Sequence, residues 1–289
     1  MKTRTGHFPI GFRYGGGTWQ KDPDGLIAWA KQNGLEAIDL GKDGDRLAKK
    51  VIDAGLCVGT VDLLEWNAMM SPDKGRRKDA VARNAAYVRA CAASGPIDYF
   101  LVMTPEQPGL PRSQNFSHMV DGFGALVPVL EENKARLAIE GWPGPGALCC
   151  TPEGYRALFR ELPSTAVGIN YDPSHLIRME IDYLRFLREF ADRVWHVHGK
   201  DTEMLTENLY EYGSEQPPTF AKSIAFGSLH WRYTIPGHGC ARWIEIMRIL
   251  EASHFAGSLC IELEDANFNG TEQGEKLGIL QGAQFLTGC

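Results

Sequence analysis

The stretch VWHVHGKD, residues 194–201, reads as a buried strand that carries two imidazoles and hands over a charged pair. Period-two alternation puts His196 and His198 on the same face, and apolar residues at 194, 195 and 197 give way to charge at Lys200. A strand needs no two histidines side by side to pack, so its C-terminal end is expected to open into a site. Three other strand-like segments end in the same kind of chemistry: LAIEGW (137–142), VGINYDPSH (167–175) and LCIELED (259–265). Together the four offer Glu140, Asp172, His175, His198 and Glu262.

Working outward, strand and helix alternate along the whole chain. GFRYGG (11–16) leads into DGLIAWAKQNG (24–34), a helical pattern with Asp24 as its expected cap and Gly34 as its stop. AIDLG (37–41) precedes GDRLAKKVIDAG (44–55), and CVGTVDLL (57–64) precedes the helical run 75–94. DYFLVMTP (98–105) precedes a helix over 117–134, and LAIEGW precedes one over 151–162. VGINYD precedes 181–192, VWHVHGKD precedes 241–253, and LCIELED precedes a last helix over 274–286. Eight strand–helix pairs predict an α/β fold, a single (β/α)8 TIM barrel over residues 1–289. An open doubly wound sheet is the rival, but GFRYGGG is not a GxGxxG phosphate turn, and the chemistry clusters at later strand ends. The one outsized connection, 202–238 after strand seven, is expected to act as a lid or substrate wall.

Composition narrows the function. With 289 residues, 44% of them hydrophobic, and no apolar run of the roughly 18 residues that a membrane span needs, the chain reads as globular, with no membrane partner. The basic start MKTRTGHFPIGF lacks an apolar h-region, so export is not expected. Seven scattered cysteines without a CxxC fit a reduced, cytoplasmic compartment, with Cys57 and Cys260 expected in core strands. A net charge of −6 leaves no basic footprint for nucleic acid.

In a barrel the C-terminal strand ends face one bowl, so Glu140, Asp172, His198 and Glu262 should converge. Three carboxylates and one imidazole form a hard ligand set for one divalent cation, Mn²⁺ first, with Mg²⁺, Co²⁺ or Zn²⁺ as alternatives. Without a cation, three converging carboxylates would repel.

The order of these motifs carries a family resemblance: Glu140 on strand five, DPSH (172–175) after strand six, HVHGKD (196–201) on strand seven, PGHG (236–239) before the next helix, and Ile261-Glu262 on strand eight. The chain resembles the sugar phosphate isomerase/epimerase superfamily with the xylose-isomerase-like barrel over nearly its whole length. The resemblance implies that Glu140, Asp172, His198 and Glu262 hold the metal, that Glu140 and Glu262 double as acid and base, and that His175 orients substrate. It implies an isomerase or epimerase acting on a ketose or keto-sugar by proton abstraction through an enediolate. The alternative is a metal-dependent lyase, hydratase or decarboxylase on a 3-keto-sugar or keto-glycoside. A non-catalytic sugar-binding subunit is a third reading. The partner is a small sugar, and homo-oligomerisation is left open.

One departure from the family matters. Ketose epimerases of this type often carry an arginine six residues past the strand-seven ligand, where this chain has Met204, so Lys200 and Asp201 are the nearby substitutes for sugar recognition. His196 lies deeper than His198 and is expected as a hydrogen-bonded core histidine. His238 and Trp142 are candidates for the substrate pocket, and so, less specifically, are His230, Trp231 and Trp66. Asp39 and Glu65 close early strands, where salt bridges account for them equally well.

Overall fold

The helices of this chain begin where the sequence supplies a side-chain acceptor for the first unpaired N–H groups. In the computed structural model, which describes all residues 1–289, Asp22, Asp73, Thr151, Asp172 and Thr271 each accept a backbone N–H at a helix start. The first helix runs Pro23–Gln32 and its cap is Asp22, not the expected Asp24. Proline presets helical φ at the first helical position, so the capping residue falls before it. No helix is long and apolar enough to cross a membrane.

Eleven strands follow in chain order: β1 (Ile10–Arg13), β2 (Ala37–Asp39), β3 (Cys57–Val58), β4 (Val61–Asp62), β5 (Asp98–Val102), β6 (Arg136–Glu140), β7 (Val167–Tyr171), β8 (Val194–Gly199), β9 (Asp201–Met204), β10 (Trp231–Thr234) and β11 (Leu259–Ile261). Nine of them form one sheet in the order β3-β2-β1-β11-β8-β7-β6-β5-β4. Its two ends, β3 and β4, are separated only by Gly59 and Thr60, so both edges belong to one stretch of chain. The sheet is therefore a nearly closed, eight-membered parallel barrel with helical crossovers, as the alternation predicts.

The expected single strand 57–64 is split, and the pairing shows why. Gly59 N–H donates to the Ile38 carbonyl and Leu40 N–H to the Thr60 carbonyl, whereas Leu63 N–H donates to Phe100. The chain changes partner at this point. Cys57 is exposed rather than in the core, while Cys260 is buried as expected.

Packing density divides the chain into two compact units, residues 1–37, 172–189 and 198–289, and residues 38–171 and 190–197. In the first, β1 pairs in parallel with β11 from Ile10↔Leu259 to Phe12↔Ile261, over a core that includes Phe12, Trp243, Ile246 and Leu286. In the second, parallel registers run from Val61↔Tyr99 through Val102↔Glu140 and Glu140↔Asn170 to Tyr171↔Val197. Strand residues there are buried on both faces, as the helix-covered faces of a parallel sheet require.

The long connection after β8 is structured. β9 and β10 form an antiparallel hairpin, Asp201↔Thr234 to Met204↔Trp231, with a helix Thr206–Tyr212 in its insertion. Asp201, expected to serve recognition, is instead its anchor. The buried carboxylate accepts from Thr202 N at 2.8 Å, Ala241 N at 2.9 Å, Trp243 Nε1 at 3.0 Å and Gly237 N at 3.3 Å. Burial raises its pKa against the opposing effect of these bonds. Gly239 packs so closely that a Cβ there would lie 2.3 Å from Asp201 Oδ1.

Replacing Asp201 by alanine strands the buried Trp243 and Thr202 N–H groups, at about 1–3 kcal/mol each. Urea unfolding of Asp201→Ala should accordingly show a loss of about 3 kcal/mol, and a loss under about 1 kcal/mol would remove Asp201 as the anchor of the hairpin.

Candidate metal centre

The DPSH motif builds one wall of the site by local rules alone. Asp172 follows β7 and caps the helix Pro173–Arg178: its Oδ1 accepts from Ser174 N at 2.8 Å. That bond fixes the carboxylate and leaves Oδ2 turned the other way. One helical turn on, His175 comes back beside it at i+3, with Nε2 at 3.4 Å from Asp172 Oδ2. Thr202 Oγ1 donates to the Ser174 carbonyl at 2.9 Å, tying the hairpin to this helix.

β8 and β11 supply the rest. His198 is fully buried on β8, its Nδ1 3.3 Å from Oε2 of Glu262, the first residue after β11. Lys200, the first residue after β8, is equally buried. Its Nζ lies 2.5 Å from Glu262 Oε2, 3.0 Å from Glu264 Oε2 and 3.2 Å from Asp172 Oδ2. Arg13, which ends β1, reaches Glu262 Oε1 at 3.2 Å. Burial alone would raise the Glu262 carboxyl. The His198 and Lys200 charges, with Arg13, outweigh it and hold the carboxyl well below the usual carboxylate range.

One donor atom each from Asp172, His198 and Glu262 lies within 4.8 Å of the others. Two carboxylate oxygens and an imidazole nitrogen are the donors a hard or borderline divalent cation takes. Asp172 Oδ2 adds a specific sign of fit. It is buried and accepts no hydrogen bond, although Lys200 stands near it. Glu140 is the last residue of β6, buried, and its Oε2 accepts from Asn170 Nδ2 at 2.8 Å. Its register partner is Asn170, two residues before Asp172 on the same strand run.

Other sequence candidates fall elsewhere. His196 is the expected core histidine, with Nε2 3.1 Å from Asp39 Oδ2 and both residues buried. Glu65 pairs with Arg83 at the surface. Trp142 is half-buried with its ring against Gly144. His238 is exposed in the turn after β10, 6.2 Å from the Phe268 ring.

Three further residues join the site that sequence reasoning does not single out. Glu264 carries a signal, since Glu262 and Glu264 have the two-residue spacing of one strand face. Arg13 is visible only as one of few basic residues near a strand end. Tyr233 carries none. It arrives on β10, and its hydroxyl lies 2.7 Å from His175 Nδ1, while burial holds its phenol well above the usual range despite Lys200 and Arg178 nearby. A cavity of about 190 Å³ adjoins Glu262, walled by Arg13, Gly15, Gln20, Glu264 and Asn269.

An inosose dehydratase of Clostridium beijerinckii is 24% identical over 153 residues, 53% of this chain and 48% of that protein, so the chain spans about half the length of that curated relative. The 3-keto-D-glucoside 4-epimerase YcjR of E. coli, in its apo form, superposes with a TM-score of 0.70 over 98% of this chain and 100% of its own, at 15% identity. The IOLI protein with a bound zinc atom superposes with a TM-score of 0.64 over 96% and 95% of the two chains, at 14% identity. The model of the xylose isomerase-like TIM barrel matches residues 24–289, and the chain belongs to that family.

Proposed function

We propose that the protein is a divalent-metal-dependent lyase that removes water from a neutral keto-polyol of the inosose type. The observation that carries this reading is the 2.5 Å contact between Lys200 Nζ and Glu262 Oε2, which sets a proton donor beside a proton acceptor. An epimerase must remove a proton and return one to the same carbon from the opposite face. An elimination needs a base for the C–H and an acid for the departing hydroxide, and Glu262 with Lys200 provides both. The half-length likeness to inosose dehydratase points the same way.

Asp172, His198, Glu262 and Glu140 would hold the cation. Zinc joins manganese as a candidate because a zinc atom is bound in the IOLI relative. When bound, the metal supplies a Lewis acid beside the substrate carbonyl, which acidifies the neighbouring C–H. Glu262 takes that proton. The C–H electron pair becomes the new double bond, the C–O bond breaks, and Lys200 protonates the leaving hydroxide to water. The proton on Glu262 then returns to Lys200 across their contact, restoring the pair. His175 stands 3.5 Å from Lys200 Nζ and would face the substrate. Burial of Lys200, His198 and Asp172 excludes bulk water from these charges and strengthens their action.

Epimerisation, the first reading from sequence, is the second reading here. It would use Glu140, the second carboxylate at a strand end, as the partner acid or base.

Mn²⁺ titration by calorimetry should give one site per chain. His198→Ala should weaken it by more than the roughly 10–100-fold seen when an outer partner of a ligand is lost, while His175→Ala should keep the metal. Equal metal loss in His175→Ala would move that residue into the ligand set.

Incubation of the metal-loaded protein with an inosose in D₂O, followed by mass spectrometry, should yield a product that has lost the elements of one water. A product that keeps all the elements of the substrate and is heavier only by its incorporated deuterium would select epimerisation. Glu262→Gln should lose both deuterium exchange and turnover by about 10²–10⁴-fold. Lys200→Met should still exchange the C–H but lose elimination by a similar factor of about 10²–10⁴, and loss of exchange in that variant would show that Lys200 is not the leaving-group acid.

A further inference from the structure

His175 is held from two sides by groups of unequal hydrogen-bonding character. Its Nε2 is 3.5 Å from Lys200 Nζ in a hydrogen bond, and an ammonium group can only donate. The approach of Nε2 to Asp172 Oδ2 is not a competing hydrogen bond, because that oxygen accepts none. Nε2 must therefore present its lone pair. The proton of the neutral ring then lies on Nδ1, which faces Tyr233 Oη at 2.7 Å.

We infer that Tyr233 is the positioning residue of the site: its hydroxyl accepts the Nδ1 proton of His175 and, together with the donor-only Lys200, fixes the tautomer that leaves Nε2 as an acceptor. The ring of the same residue acts on the same pair. It meets the His175 ring edge-on with centroids 5.4 Å apart and lies under Lys200 Nζ at 4.6 Å, a cation–π distance. Trp231 at 4.9 Å and Arg178 at 5.5 Å pack on the Tyr233 ring in turn. Tyr233 is buried at 4% exposure, so its orientation is set by these contacts and by the ladder pair with Thr202. The consequence is that the hairpin inserted after β8, and not a barrel strand, determines how His175 and Lys200 present themselves. The role of His175 toward substrate rests on the function proposed above; its tautomer does not.

The test uses ¹⁵N-histidine-labelled protein loaded with Mg²⁺, and two-bond ¹H–¹⁵N spectra assigned with His175→Gln. Wild type should show a protonated-type Nδ1 and a lone-pair-type Nε2 for His175. In Tyr233→Phe the ring and its packing remain while the acceptor is lost, so the two nitrogens should move toward an averaged or reversed pattern. A wild-type spectrum with the proton on Nε2 would overturn the inference without any variant. So would an unchanged His175 pattern in Tyr233→Phe. Either result can be obtained whether or not the protein dehydrates an inosose, which separates failure of this inference from failure of the proposed reaction.

Discussion

Three carboxylates that converge in a buried space repel one another unless cations stand between them, and the site is built to meet that constraint. Asp172, Glu262 and Glu264 all point at Lys200, and Arg13 takes the remaining oxygen of Glu262. A buried lysine is costly to desolvate unless it is paired on several sides, and here it has three anionic partners and an aromatic face. The same balance of charges holds the Glu262 carboxyl below the usual carboxylate range. A divalent ion added to Asp172, His198 and Glu262 would enter a cluster whose geometry is already held by opposite charges.

The scaffold divides the work between strand ends and one insertion. Strand ends deliver Arg13, Glu140, Asp172, His198, Lys200 and Glu262, each at the last residue of a strand or within two residues of its end. Backbone hydrogen bonding fixes such positions to a fraction of a residue, which metal ligation and proton transfer demand. The hairpin is attached by polar ties at its base, where Asp201 accepts from Ala241 N and Trp243 Nε1 and Thr202 Oγ1 donates to the Ser174 carbonyl. Its contacts fall on His175, Lys200 and Ser174. Met204, standing where related epimerases often carry an arginine, faces this same hairpin pairing with Trp231.

The choice between isomerising and eliminating chemistry depends on what stands next to the base. The ligand set serves both, because both begin with removal of a proton beside a carbonyl. In the proposed elimination, a donor in contact with the base would serve the departing hydroxyl, and Lys200 is paired with Glu262 where it could take that role. The barrel fold is shared with a 3-keto-D-glucoside 4-epimerase and with the zinc-bound IOLI protein at 14–15% identity.

Local rules make much of this molecule legible along the chain itself. Strand–helix alternation determines the barrel, because each half-buried element must find a covering partner and eight pairs close the sheet. The DPSH and HVHGKD motifs determine which strand ends carry chemistry: an aspartate followed by proline favours a helix cap, and period two places His196 and His198 on one face. Tertiary structure decides the rest. Asp201 and Lys200 are neighbours of similar appearance in sequence, yet one is a hairpin anchor and the other the hub of the charge cluster, because strand geometry turns adjacent side chains to opposite sides. Tyr233 has no local signature, since its importance lies in a contact with a residue 58 positions away. The split of 57–64 and the exposure of Cys57 follow from a change of pairing partner, which no local pattern records. What the sequence by itself determined was whatever depends on near neighbours along the chain; what only the fold decided was which distant charges and hydroxyls come within hydrogen-bonding reach.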